Sequence, residues 1–295
     1  MTTIDAQLEA ARPHERTTNF YYSFSFLPRA ERNAINDVYA FCRTIDDIVD
    51  QPGTGHEHDL EHKRAALNLW RSHIDAIYAG SIVPSVARPI AQVVGRYSIP
   101  KQYLLTVIDG CERDLTRRRY QTFAELKEYC YGVAAIVGLI SIEVFGYRHE
   151  ETKQYAINLG YALQLTNILR DIKQDKDRGY IYIPLEDLAR FKYSEQELIG
   201  EVYNENFVSL MAFQVQRARE HYHRARTMLR SDERRTMVAA QIMDAIYYRL
   251  LEKIELHDYR VYDRRISVRT SHKLLTALRV WLSNRLFVQR IKPSP

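Results

Sequence analysis

The chain has 295 residues, 46% of them hydrophobic, enough apolar material for one large core or two small ones. Only 11 Gly and 9 Pro punctuate it, which argues against a strand-and-turn architecture, and three cysteines (Cys42, Cys111, Cys130) without CxxC spacing argue against a disulfide framework or a zinc finger and for reduced thiols in a cytosolic protein. The net charge of +5 is uneven: residues 260–295 hold nine Arg or Lys against Asp263, a net +8, so residues 1–259 carry −3.

In chain order, MTTIDAQLEAARPHER (1–16) lacks the apolar stretch of a signal peptide and reads as loose. Ile35, Val38, Cys42, Ile45 and Val49 step by three and four, the apolar face of a helix. Pro52-Gly53 stops it, and a polar, His-rich loop is expected over 51–62. Helices follow over Leu67–Tyr78, Ala87–Tyr97 and Gln102–Asp114, with Gly80 and Pro100 as punctuation.

Phe123–Phe145 reads as one long buried helix, its uncharged run Tyr129–Ile142 too short for a membrane span. Gly132 and Gly138 inside it mark close helix packing or a ligand against the backbone. Lys153–Gln174 is the next helix, ended by Asp177-Arg178-Gly179 and followed by an extended stretch, Tyr180–Pro184. Glu195–Val202 follows Ser194 as N-cap, and Asn206–Leu229 and Thr236–Glu255 are long helices. In the final stretch, 270–295, Leu274, Leu275, Leu278, Trp281, Leu286 and Phe287 interleave with Arg residues. It predicts a basic amphipathic helix that either docks on the core with a solvated basic face or lies on the inner face of a membrane. No segment alternates as a strand and no repeat or linker interrupts the pattern, so one all-α domain over 1–295 is expected.

Two acidic stretches stand out. In "LTNILRDIKQDKDRGYIYIP" (165–184), Asn167, Asp171 and Asp175 recur every fourth residue. Residues four apart lie nearly above one another on a helix, so the three form one oxygen-bearing ridge beside the apolar Leu165, Ile168 and Ile172. In "YAFCRTIDDIVD" (39–50), Asp46 and Asp50 make a second such ridge, with Arg43 one turn before. Like charges at this spacing cost a helix roughly 0.2–0.5 kcal/mol and call for compensation. Lys and Arg neighbours on a solvated face are the plain answer, and a divalent cation is the specific one. Mg²⁺ takes oxygen ligands and is bound through one or two carboxylates plus substrate phosphates. Arg43, Arg170, Arg178 and Arg265 add forked donors for phosphate oxygens. A diphosphate held this way becomes a good leaving group.

The chain resembles the squalene/phytoene synthases, head-to-head prenyl synthases, over roughly 17–270. "NFYYSFSFLPRAERNAINDVYAFCRTIDDIVD" (19–50) is similar to that family's first block, "YCYGVAAIVGL" (129–139) to its central Gly-bearing helix, and "LQLTNILRDIKQDKDRGYIYIPLEDL" (163–188) to its second block. The resemblance implies an isoprenoid-synthase-type helical bundle around a central cavity. It implies Mg²⁺-dependent joining of two prenyl diphosphates, with two or three Mg²⁺ expected. Asp46, Asp50, Asp171 and Asp175 would then be catalytic metal ligands, with Asn167 beside them. Arg43, Arg170, Tyr248 and Arg265 would bind diphosphate, Tyr247 and Arg264 competing for the last two roles. Tyr129 would be catalytic, and Gln164 and Phe20 would lie on the substrate cavity. At Thr17-Thr18-Asn19 the chain departs from the Ser or His common in the family.

"DDIVD" and "EDLARF" are similar to the bacterial squalene-forming branch, closest to the presqualene diphosphate synthases. The expectation is therefore condensation of two farnesyl diphosphates to presqualene diphosphate, and on to squalene if NADPH is used, which the residues leave undecided. The alternative is phytoene synthase, joining two geranylgeranyl diphosphates, with cavity depth separating the two. A more distant alternative is an all-α, Mg²⁺-dependent nucleotide pyrophosphohydrolase, and a non-enzymatic one is a helical scaffold whose basic tail binds nucleic acid. Partners expected are prenyl diphosphates and a membrane surface, with no nucleic acid, in a cytoplasmic monomer or weak dimer.

Overall fold

The computed structural model describes residues 23–50 and 57–288. Phe20, residues 17–19, the segment 1–16 and the last seven residues lie outside the described residues.

Twelve α-helices are described: α1 (Arg29–Asp50), α2 (Glu57–Tyr78), α3 (Arg88–Tyr97), α4 (Lys101–Glu112), α5 (Phe123–Cys130), α6 (Ile136–Phe145), α7 (Glu151–Asp177), α8 (Leu185–Arg190), α9 (Glu195–Ile199), α10 (Glu205–Met228), α11 (Val238–Leu256) and α12 (Thr270–Val288). The only β pairing among the described residues is an isolated parallel bridge between Arg119 and Ile181, so the fold is all-α.

The anticipated loop over 51–62 is shorter than expected. α2 starts at Glu57, because no Gly or Pro follows Gly55 to prevent it; the apolar periodicity that announces the helix begins only near Leu67. Lys63 Nζ donates to Val49 O at 2.6 Å, so this first part of α2 caps the C-terminal end of α1. The helix after Ser194 stops at Ile199, held by a capping box in which Ser194 and Glu197 exchange hydrogen bonds. α8, after Pro184, has no sequence expectation behind it; it is a six-residue turn too short to show periodicity.

α7 is the axis of the bundle. It packs on α10, α11 and the helix Phe123–Phe145, and its Tyr155, Ala156, Leu159, Ala162, Leu165, Ile168, Leu169 and Ile172 are buried. Between α5 and α6 the backbone widens into a π-helical turn, Tyr131–Ala135, a feature frequent at functional sites. The helix Phe123–Phe145 is long and apolar enough to cross a membrane by composition. In the fold, Leu126, Tyr129, Ile136, Leu139, Ile140 and Ile142 enter the core, while Val133, Ala134, Val137, Gly138 and Ser141 line an internal cavity.

The glycines of this region serve close packing. A Cβ added at Gly160 of α7 would lie 2.5 Å from Ala135 Cα. One added at Gly132 would lie 2.8 Å from Gly110 Cα, and one at Gly138 would lie 2.8 Å from Ala156 O. Three backbones thus approach as closely as hydrogen side chains permit. α12 docks on α11 through buried Ala277 and Asn284, with Trp281 against Phe26 at 5.9 Å between ring centroids.

Because backbone, which cannot move aside, occupies the space beside Gly160, Gly160→Ala should destabilise the protein by about 1–3 kcal/mol in denaturant titrations followed by circular dichroism. Gly95→Ala, which meets nothing within 4 Å on α3, is the matched control and should be neutral or slightly stabilising. An equal response at both positions would contradict the packing account.

Candidate active site

The last turns of α1 and the C-terminal half of α7 face one cavity of about 400 Å³. Asp46 and Asp50 line it from α1, and Asn167, Asp171 and Asp175 from α7, so the two ridges predicted from spacing meet. Arg43, Gln164, Arg170, Arg178, Tyr129, Tyr182 and Asp114 share the lining.

The ridges are tied by arginines. Arg178 Nη1 donates to Asp50 Oδ2 at 3.0 Å, spanning the cleft. Gly179, at φ +87°, follows it in the turn that ends α7. Asp171 accepts from two guanidinium groups, Arg170 (Nε at 2.8 Å) and Arg265 (Nε at 2.9 Å, Nη2 at 3.3 Å). Arg43 pairs with Asp46 at 3.0 Å and with Asp47 at 2.8 Å. The carboxylate of Asp175 has no ion pair or hydrogen bond among the described residues, while Arg178 stands near enough to act on its charge.

Charge and burial set these acids apart. Burial and then the charge of Asp50 push Asp46 up to about 6, although 48% of its side chain stays open to the cleft. Burial and the neighbouring Asp171 raise Asp175 to about 7. Burial pushes Asp171 upward too, but hydrogen bonds from Arg170 and Arg265 outweigh it and hold the carboxyl below its ordinary value. The cleft therefore carries more negative charge than its arginines neutralise.

Behind the acids lies a tyrosine cluster. Tyr129 donates to Asp114 Oδ2 at 2.8 Å and Tyr182 to the same oxygen at 3.1 Å, with their rings stacked at 5.1 Å. Tyr180 stacks on Tyr182 and donates to Asp114 O at 2.9 Å. The extended stretch Tyr180–Pro184 makes this arrangement: alternate residues of extended chain share a side, so Tyr180 and Tyr182 face Asp114 while Ile181 and Ile183 are buried opposite. The Ile181 N to Arg118 O hydrogen bond, 3.0 Å, fixes the strand-like segment in place.

Asp114 went unassigned in the sequence, where it reads as a helix end. One signal was there: Val107, Cys111 and Asp114 fall at i, i+4 and i+7, an acid continuing an apolar stripe. All three line the cavity. Burial raises Asp114 to about 7.

The remaining sequence candidates divide. Gln164 and Asn167 line both the acidic cavity and a deeper apolar chamber of about 140 Å³. Tyr248 lines neither; it packs on Tyr222 at 5.2 Å and under Arg226 at 4.2 Å. Tyr247, its competitor, is buried in the chamber wall and interacts with Arg170. One residue of helix is 100° of rotation, which moves Tyr248 off the cavity face. Of the two arginines, Arg265 reaches the site, through Asp171.

A hard cation fits these donors. All are oxygens, and among the described residues Asp175 is unpaired and Asn167 Oδ1 and Asp114 Oδ1 are buried without a hydrogen-bond partner. Among the described residues no three Asp, Glu, His or Cys side chains converge into a ready-made metal cage. That suits an ion completed by substrate phosphates rather than by protein alone.

The family model for squalene/phytoene synthase matches residues 14–272. The chain belongs to the squalene/phytoene synthase family. It is 37% identical over 272 residues to a phytoene synthase of Arthrospira platensis, covering 87% of this chain and 85% of that one. It is 36% identical to the 15-cis-phytoene synthase of Synechocystis sp., over 89% of this chain and 80% of that one. With a presqualene diphosphate synthase of Sinorhizobium fredii it shares 34% identity over 85% of this chain and 89% of that one. The fold is similar to that of squalene synthase HpnC from Alicyclobacillus acidocaldarius, with TM-score 0.75, 24% identity and coverage of 87% of this chain and 93% of that one. Members of this squalene/phytoene synthase family are prenyltransferases, and this chain is one of them.

Three acids of this cleft, Asp46, Asp114 and Asp175, have folded pKa values raised above the ordinary 3.8. Between about pH 4 and 7 the folded state binds more protons than the unfolded one, so stability falls as pH rises through that window. The metal-free protein should melt at a lower temperature at pH 7.5 than at pH 5, and Asp175→Asn should flatten the dependence. A melting temperature that rises over this range, or an unchanged slope in the variant, would contradict the assignment.

Proposed function

We propose that this prenyltransferase joins two geranylgeranyl diphosphates head to head to give phytoene, through a cyclopropylcarbinyl diphosphate, in one all-α domain that works with Mg²⁺ and without NADPH. The observation that supports the chain length is kinship, and the structure supplies an apolar chamber of about 140 Å³ for the prenyl tail. The apolar chamber adjoins the acidic cavity at Gln164 and Asn167, and its lining mixes small residues such as Gly138, Ala156 and Ala240 with larger ones such as Ile142, Phe145 and Met243. The two cyanobacterial relatives named as phytoene synthases, at 37% and 36% identity, support the same choice. This reverses the preference for farnesyl diphosphate drawn from "DDIVD" and "EDLARF".

In this reading Asp46, Asp50, Asn167, Asp171 and Asp175 hold Mg²⁺, which when bound neutralises diphosphate and makes it a better leaving group. Arg43, Arg170, Arg178 and Arg265 turn their donors from the carboxylates they now hold toward phosphate oxygens. The C–O bond of one substrate breaks and diphosphate departs. The double bond of the second substrate attacks the allylic cation, and a proton is lost as the cyclopropane closes. A second departure of diphosphate, rearrangement and proton loss give the product. Tyr129 and Tyr182, fixed by Asp114, line the cavity beside the acids, where an aromatic ring turned toward a cation contributes about 0.5–2 kcal/mol. The apolar chamber holds the prenyl chain away from water.

The presqualene diphosphate synthase relative favours a second reading, in which two farnesyl diphosphates stop at the cyclopropyl diphosphate. Incubation with each substrate, with and without Mg²⁺ and NADPH, separates them by product mass. The expected result is phytoene from geranylgeranyl diphosphate, dependent on Mg²⁺ and indifferent to NADPH. Conversion of farnesyl diphosphate alone, with accumulation of a C30 diphosphate, would overturn the chain length, and no product from either would overturn the reaction.

A further inference from the structure

We propose that Arg119 is a positioning residue of this site: paired with Glu195, it holds the turn that carries Arg178 over the cleft. The proposal rests on the reading of Arg178 as a diphosphate ligand. Arg119 Nη1 donates to the carbonyl of Gly179 at 2.6 Å and to that of Arg118 at 2.7 Å. Glu195 takes the other edge of the guanidinium, with Nε at 2.8 Å and Nη2 at 2.7 Å from its Oε1. The preceding carbonyl of the turn, that of Arg178, accepts from Arg118 Nη1 at 3.2 Å. Two consecutive carbonyls at the end of α7 are therefore each held by a guanidinium, where the negative end of the helix dipole favours a cation. Arg118, Arg119 and Glu195 all stand outside the lining of the acidic cavity, so they act on it through the turn.

The turn needs such a hold. Arg178 reaches across the cleft to Asp50 with 60% of its side chain in water. A long side chain so exposed keeps much of its rotamer freedom, so it is aimed mainly through its backbone. The next residue is Gly179 at φ +87°, the residue type with the widest backbone freedom. Arg119 fixes the carbonyl of that glycine. A planar fork suits the task better than an ammonium would: Nη1 serves the two carbonyls while Nε and Nη2 face the carboxylate.

The brace extends into α9. Glu195 begins this helix, and Glu201, just beyond its end, pairs with Lys173 and Lys176 of α7. α9 is thus tied to the last turns of α7 directly at one end and through Arg119 at the other. The Ile181 N to Arg118 O hydrogen bond and the Arg119–Ile181 bridge continue the hold along the stretch that presents Tyr180 and Tyr182. An isolated ion pair in open water contributes little. The Arg119–Glu195 pair differs, because its side chains are only 29% and 31% exposed and Arg119 serves backbone carbonyls as well.

Amide hydrogen exchange of the full, ligand-free chain, followed by mass spectrometry, reads the segment 176–182, where the N–H groups of Gly179, Tyr180 and Ile181 are all hydrogen-bonded. Arg119→Met should speed exchange there by about tenfold or more and leave α10 and α11 unchanged. Glu195→Gln leaves the guanidinium in place and should give a smaller effect in the same segment; it carries the test where Arg119→Met folds poorly. Calorimetric titration with inorganic diphosphate and Mg²⁺ then reads whether the turn matters to the site. Arg119→Met and Arg178→Gln should each weaken binding by about tenfold, and the double variant should bind no more weakly than Arg178→Gln, because Arg119 acts through Arg178. A role in general stability alone would instead give losses that multiply. Unchanged exchange over 176–182 in both variants, or losses that multiply, would overturn the proposal. A wild type that exchanges as expected but binds no diphosphate with Mg²⁺ would overturn the diphosphate reading, and with it the part of Arg119 in binding.

Discussion

The crowding of incompletely neutralised carboxylates into one partly buried cavity is the constraint around which this molecule is arranged. α1 brings Asp46 and Asp50, and α7 brings Asp171 and Asp175, to a cavity from which water is partly excluded. Burial, and then the charge of a neighbouring acid on the same helix, makes Asp46 and Asp175 harder to ionise. The protein answers only in part. Arg170 and Arg265 satisfy Asp171, and Arg178 satisfies Asp50, but among the described residues Asp175 keeps no partner and Asn167 Oδ1 none. A site left under-neutralised in this way favours an incoming cation, and its arginines favour the anion that accompanies it. A metal-bound diphosphate meets both demands at once.

Holding the rows at a fixed separation requires a stiff frame. The frame is the backbone contact among Gly110, Gly132, Ala135 and Gly160, where helices touch without side chains between them. Such contacts cannot relax by rotamer changes, so α7 and the helix Phe123–Phe145 have little freedom to slide. The π-helical turn lies at this contact, one step from Tyr129. Asp114 then completes the geometry from the other side, accepting from Tyr129 and Tyr182 together. Packing, aromatic placement and acid placement are thus consequences of one crowded junction.

The sequence made much of this visible. Long helices with few Gly and Pro announce an all-α bundle, and i,i+4 acids beside apolar stripes announce the two ridges. Four kinds of feature escaped it, each for a physical reason. Periodicity needs several turns to register, so the start of α2 and the six-residue α8 were missed. One residue of register decides which tyrosine of Tyr247-Tyr248 faces the cavity, and helical spacing alone leaves both open. Asp114 acts through partners far along the chain, Tyr129 and Tyr182, which no local pattern connects to it. The amphipathic basic C-terminus was legible as a pattern, but which face α12 turns outward is set by α11.

The central claim is that these carboxylates hold a cation only together with a diphosphate. Isothermal titration with inorganic diphosphate, in the presence and absence of Mg²⁺, measures it directly. The account predicts clear binding when both are present, weak binding of either alone, and loss of the joint binding in Asp175→Asn. Diphosphate binding that is as tight without Mg²⁺ as with it, or an unaffected Asp175→Asn variant, would contradict it.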